Sequence, residues 1–169
     1  RTIHWPTTAR VGTLMVRENV EVRRPEFTVI IDASSDVASP IDFEEMVDVA
    51  ASIAALAIQS GLDVIVRTTH PDYMGSSRTV QDDGAMLDFL TSVQQTEDRS
   101  ALPLSALFVG RLGHTSVVLI TGPRGPLPGT ASLTQMLVVR IGDGAQLAPG
   151  IAIATDGARE FVTRWRQLS

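Results

Sequence analysis

Apolar and polar positions follow two rhythms along this chain. Dense apolar runs at Phe27–Asp32, Leu62–Thr68, Ser116–Thr121, Gln135–Ile141 and Gly150–Thr155 predict strands buried on both faces. Between the first two, Phe43, Met46, Val47, Ala50, Ile53, Ala54 and Ala57 recur at helical spacing, with Glu44, Glu45, Asp48, Ser52 and Gln59 opposite. That pattern predicts a helix from Pro40 to Ser60, capped by Ser39, opened by Pro40 and ended by Gly61. A second helix is expected over Asp83–Gln95, with Met86, Leu87 and Leu90 turned inward. A third is expected over Ala101–Leu112, between a Ser100 cap and a Gly113 stop. The last spans Ala158–Leu168 and sets Phe161 and Trp165 on one core-facing side. The polar loop His70–Arg78 leads to a short edge strand around Arg78–Gln81.

Strands alternating with helices predict an α/β domain with a mostly parallel sheet flanked by helices. The link Gly142–Pro149 is too short for a helical crossover, so one of the last two strands is antiparallel or the link is irregular. Residues 1–25 differ in kind. Leu14–Val22 reads as an extended segment with its charges on one side, and Pro25 separates it from the first core strand. We therefore divide the chain into a strand-rich arm, 1–25, packed on a domain, 26–169.

Composition prunes the chemistry. With 169 residues, 44% apolar and 20% charged, one domain can bury a sizeable core. A net charge of −5 argues against a nucleic-acid partner, which needs a basic face. The absence of Cys removes disulfides, thiolate metal sites and Cys nucleophiles. All 14 basic residues are Arg, which removes Schiff-base and P-loop lysines. The loop Gly122–Thr130 has the glycines of a phosphate cradle but three prolines and no lysine, so it is read as a surface turn. The run Val49–Leu62 is too short to span a bilayer, and the chain begins with Arg, which suggests a segment of a longer protein, with any membrane anchor outside it.

The candidate chemistry sits just after the first strand. In open α/β sheets ligands gather beyond the carboxyl ends of the strands, where the winding direction reverses. If the strand ending at Asp32 neighbours the one ending at Thr121, then Asp32, Ser34, Asp36 and Thr121 meet there. Such oxygens suit a hard cation such as Mg²⁺ or Mn²⁺, and Asp and Ser also cap the amides of strand-to-helix turns. His4, His70 and His114 lie in separate segments without the paired spacing of a zinc site. Ser34 or Ser35 could serve a hydrolase, but the Gly-x-Ser-x-Gly elbow is missing.

Asp32-x-Ser34-x-Asp36 after a hydrophobic strand resembles the Asp-x-Ser-x-Ser motif of the metal-ion-dependent adhesion site in von Willebrand factor A domains. Arg1-x-Ile3-His4-Trp5-x-x-x-Ala9-Arg10-x-Gly12-x-Leu14-Met15-Val16-Arg17-Glu18, followed by the strand ending in Asp32, resembles the bacterial "domain of unknown function 58" family, which carries a von Willebrand factor A-like domain. The resemblance covers nearly the whole chain. It implies a non-enzymatic binding or scaffolding domain in a membrane-anchored protein, on the cytoplasmic side, with a MoxR-type AAA+ ATPase as partner. It also makes His4, Trp5, Arg10, Arg17 and Glu18 a signature for anchoring the arm or docking a partner. Two departures make any metal site a degenerate one. Asp36 replaces the second motif Ser, and Gly122 follows Thr121 where metal-binding members have an acid. The remaining motif Thr has only Thr79 as a counterpart. The competing expectations are a secreted adhesin-type domain and an α/β hydrolase or nucleotide-dependent enzyme.

Overall fold

The structure, a computed structural model, describes residues 2–3, 16–17, 25–73, 78–80, 82–97, 116–125 and 136–168. In chain order these form β1 (Thr2–Ile3), β2 (Val16–Arg17), β3 (Glu26–Ile31), α1 (Pro40–Gln59), β4 (Asp63–Thr68), β5 (Arg78–Val80), α2 (Asp83–Ser92), β6 (Ser116–Thr121), β7 (Met136–Ile141), β8 (Ile153–Thr155) and α3 (Ala158–Leu168). The helix expected over Ala101–Leu112 and His114 lie outside the described residues. Of the arm, β1 and β2 pair antiparallel as a ribbon separate from the main sheet.

The main sheet has six strands in the order β5-β4-β3-β6-β7-β8. All neighbours are parallel except the edge pair β4 and β5. The chain moves outward from β3 to β4, then returns to the other side of β3 with β6. The winding reversal therefore falls between β3 and β6, as the sequence suggested. This Rossmann-like layout is compatible with a von Willebrand factor A-like domain.

The first helix forms where its pattern says it should. Ser39 begins α1 with a reciprocal capping box: its side chain accepts from the Asp42 amide, and Asp42 accepts from the Ser39 amide. Pro40 fills the first turn, and Gly61, at φ +78°, turns the chain away after the last. Phe43, Met46, Val49, Ala50, Ile53, Ala54 and Ala57 bury the inner face of α1 against Val29, Ile31, Val64, Val66, Val118 and Ile120. Each fully buried Val, Ile, Met or Phe side chain among these contributes about 1.5–3 kcal/mol relative to exposure. The opposite face of the sheet carries Ile30, Val117, Leu119, Met136 and Val138.

Three expectations need correction. Leu87 is 50% exposed, because Met86, Phe89, Leu90 and Val93 form the inward stripe of α2 and leave Leu87 outside it. The helix stops at Ser92 rather than Gln95, since Val93 is extended and Thr96 pairs with Ser34 as an isolated parallel bridge. The last strand starts at Ile153, not Gly150, so residues 142–152 are free to carry the chain back, and β8 joins β7 in parallel through an irregular link. That link is organised by Ala145 N–H to Gly142 O at 3.0 Å and Ile151 N–H to Ala148 O at 2.9 Å.

Candidate functional site

The carboxyl ends of β3, β4 and β6 converge on Asp32. Its backbone continues the ladder, donating to Ile120 O at 2.9 Å, while Thr69 N–H donates to Ile31 O at 3.1 Å. These bonds place two threonine hydroxyls on the carboxylate. Thr121 Oγ1 donates to Asp32 Oδ2 at 2.9 Å, and Thr69 Oγ1 makes a longer contact with Oδ1 at 3.4 Å. The Ser34 amide donates to the same Oδ1 at 3.3 Å. Thr69 Oγ1 also accepts from the Ala33 amide at 2.8 Å. Asp32 is only 5% exposed and Thr121 is fully buried. One carboxyl group thus cross-links three strand ends.

The loop after Asp32 is fixed from outside. Ser35 N–H donates to Thr96 O and Thr96 N–H to Ala33 O, both at 2.8 Å. Ser34 is buried, and its hydroxyl accepts from the Asp36 amide at 3.3 Å. Asp36 is exposed, and its backbone carbonyl receives Arg124 Nε at 2.7 Å. The turn after β6 lies over this loop: Arg124 N–H donates to Val37 O at 3.1 Å. The loop expected at the surface therefore has both Gly122 and Gly125 buried. A Cβ on Gly122 would stand 2.7 Å from the Ala38 Cβ and collide with the Val37 carbonyl. The missing acid at this position has a steric reason.

Asp32, Ser34 and Thr121 come together as the sequence proposed, with Asp36 on the rim. Thr79 does not join them. Its Cα partner is Ile65, which pairs with Thr28, so Thr79 lies two strands away and four residues short of the Asp32 level. That is about 13 Å along the strand at the usual rise. His4, Trp5, Arg10 and Glu18 lie outside the described residues, and Arg17 is placed only as backbone in β2. His70 Nδ1 accepts from the Asp72 amide at 3.2 Å, a local turn contact.

A divalent cation does not fit this arrangement. Mg²⁺ demands a near-octahedral set of oxygens at about 2.0–2.1 Å and keeps several waters. Asp32 instead receives hydroxyl and amide donors, inside a cluster with almost no solvent access. Among the described residues no group of three acidic or histidine side chains converges that could hold a metal ion.

Asp42 was unmarked in the sequence beyond its place in α1. Ser39 Oγ donates to its Oδ2 at 2.7 Å, and the Asp143 amide donates to Oδ1 at 3.0 Å. Burial pushes its carboxyl up. The bonds from Ser39 and Asp143, with the Arg124 charge, outweigh that and hold it below the ordinary value of 3.8. A Cβ on Gly142, at φ +127°, would stand 2.6 Å from Asp42 Cγ, so glycine lets the chain pass beside this carboxylate. Asp42 therefore ties the β7–β8 link to the start of α1. Glu45, placed on the outer face by spacing, reaches across instead and accepts from the Ala158 amide at 2.7 Å, capping α3.

An apolar groove of about 520 Å³ lies between α1 and α3, lined by Ile53, Leu56, Phe161, Val162 and Trp165. It belongs to the half of α1 remote from Asp32. Phe161 is core, as expected, and Trp165 packs beside it at a ring separation of 5.4 Å.

Together these features define a doubly wound α/β domain whose strand-end acid is held by protein donors. The family model described as Protein of unknown function DUF58 matches residues 1–96, more than half of the sequence, and the chain belongs to that family. No curated protein matches the chain. No helix among the described residues is long and apolar enough to cross a membrane.

Proposed function

We propose that this domain is a non-enzymatic interaction module, the scaffold part of a membrane-anchored protein that works with a MoxR-type AAA+ ATPase. Family membership supports the setting. The observation that carries the reading is the closed cluster at the switch point: Asp32 spends its oxygens joining β3, β4 and β6 rather than activating a nucleophile. The adhesion-type motif survives as a degenerate site that shapes a rigid strand-end surface. Partner contacts form on that surface and on the arm signature Ile3–Glu18, without a cation to complete them.

Affinity capture of the full-length protein from its own cell, with and without chelator, tests this. A AAA+ ATPase recovered equally in both is the expected result, and its absence from both overturns the partnership. Generic ester, phosphate-ester and nucleotide substrates offered to the purified domain test the class. Saturable turnover that disappears in Asp32→Ala would make the domain an enzyme.

A further inference from the structure

The turn after β6 is built unlike a surface loop. Gly125 N–H closes it onto Gly122 O at 3.0 Å. Gly125 then packs its backbone directly on the Thr121 side chain: a Cβ there would stand 2.8 Å from Thr121 Cγ2 and run into the hydroxyl. That hydroxyl is the one that donates to Asp32. Two arginines hold the turn down, Arg124 from within it and Arg140 from β7. Arg124 grips the Asp36 carbonyl through Nε, and Arg140, the register partner of Thr121 on β7, donates from Nη2 to Gly125 O at 2.7 Å.

We propose that the Gly122–Gly125 turn is a built-in plug over the Thr121–Asp32 pair, clamped by Arg124 and Arg140, which keeps divalent cations out of this site. Gly125 lies so close to the Thr121 hydroxyl that not even a methyl group fits between them, and the Val37 carbonyl leaves no room for a second carboxylate at 122. The clamp works through two charged donors on backbone carbonyls, Arg124 on Asp36 O and Arg140 on Gly125 O. Arg140 carries the larger share, because it is half-buried whereas Arg124 is exposed and its bond competes with water. The plug needs no assumption about the partner: its failure would leave a scaffold whose contacts a cation assists, and loss of the ATPase partnership would leave the plug standing.

Two measurements on the intact chain test it. Amide hydrogen exchange should show Arg124 and Gly125 protected in the wild type. Arg140→Gln should speed their exchange about tenfold or more, the effect of losing one hydrogen bond from a charged group, while β3 and β6 stay unchanged. Arg140→Lys should fall between the two, since it keeps the charge but not the fork. Water-proton relaxation with Mn²⁺ alone should detect no Asp32-dependent binding by the wild type up to about 1 mM, the weak end of oxygen-ligated protein sites. Free exchange of these amides in the wild type, or exchange unchanged in Arg140→Gln, would overturn the plug. So would wild-type Mn²⁺ binding that disappears in Asp32→Asn.

Discussion

Asp32 and Asp42 stand on either side of the loop that joins β3 to α1, both buried, and they are used differently. Asp32 receives side-chain hydroxyls from neighbouring strands, so it fastens the sheet at its carboxyl edge. Asp42 receives its own helix cap and an amide from a loop 101 residues away, so it fastens the rim loops to the helix layer. A buried acid after a strand need not be a ligand. Its donors decide its role, and here both acids meet donors that the protein itself supplies.

The largest effect should come from Asp32. Asp32→Ala strands the Thr121 hydroxyl and the Ser34 amide without their acceptor, which should cost about 3 kcal/mol in urea unfolding. Asp32→Asn keeps one acceptor oxygen and should lose about half as much. A loss below about 1 kcal/mol for the alanine variant would remove Asp32 as a cross-link.

Asp42→Ala comes next, with about 2 kcal/mol at pH 7 from a lost cap and a lost loop tether. Its pH dependence carries a sign. A carboxyl held below 3.8 stabilises the fold above that pH and loses the contribution as pH falls through its lowered folded value. Unfolding curves of wild type and variant should therefore converge in acid. A gap that stays constant from pH 7 to well below 3.8 would contradict the assigned charge state.

Glu45→Ala should cost about 1 kcal/mol, the usual worth of a helix N-terminal acceptor, and should fray the first turn of α3 in exchange measurements. The smallest effect belongs to Glu160→Gln. Hydrogen bonds from Arg164 hold the Glu160 carboxyl below its ordinary range, but the pair is exposed and screened. Arg164 also keeps its bond to Ala154 O at 2.9 Å, so no change in melting should be measurable.

The elements were legible because each rests on a local rule. β6 and α3 coincide with their apolar runs, and α1 was readable from Ser39, Pro40 and the stripe that ends at Ala57. The Asp32–Thr121 meeting was legible too, since the winding rule made the first strand and the 116–121 strand neighbours. Thr69 was missed because nothing in Thr68-Thr69-His70 distinguishes it; only the parallel register of β3 and β4 brings it to Asp32. The Asp42–Asp143 tether, the Glu45 cap and the Arg140 clamp join residues far apart in sequence, and local periodicity carries no such information. Thr79 was misplaced for the same reason, its level being set by an antiparallel edge pairing.

On this proposal the strand-end site is complete without a metal. Thermal unfolding of the wild type with saturating Mg²⁺ and with chelator tests it most directly, because any ion bound only by the folded state raises the melting temperature by mass action. Superimposable curves are expected, with Asp32→Ala melting lower by the same amount in both conditions. A Mg²⁺-dependent rise in the wild type that Asp32→Ala abolishes would contradict it.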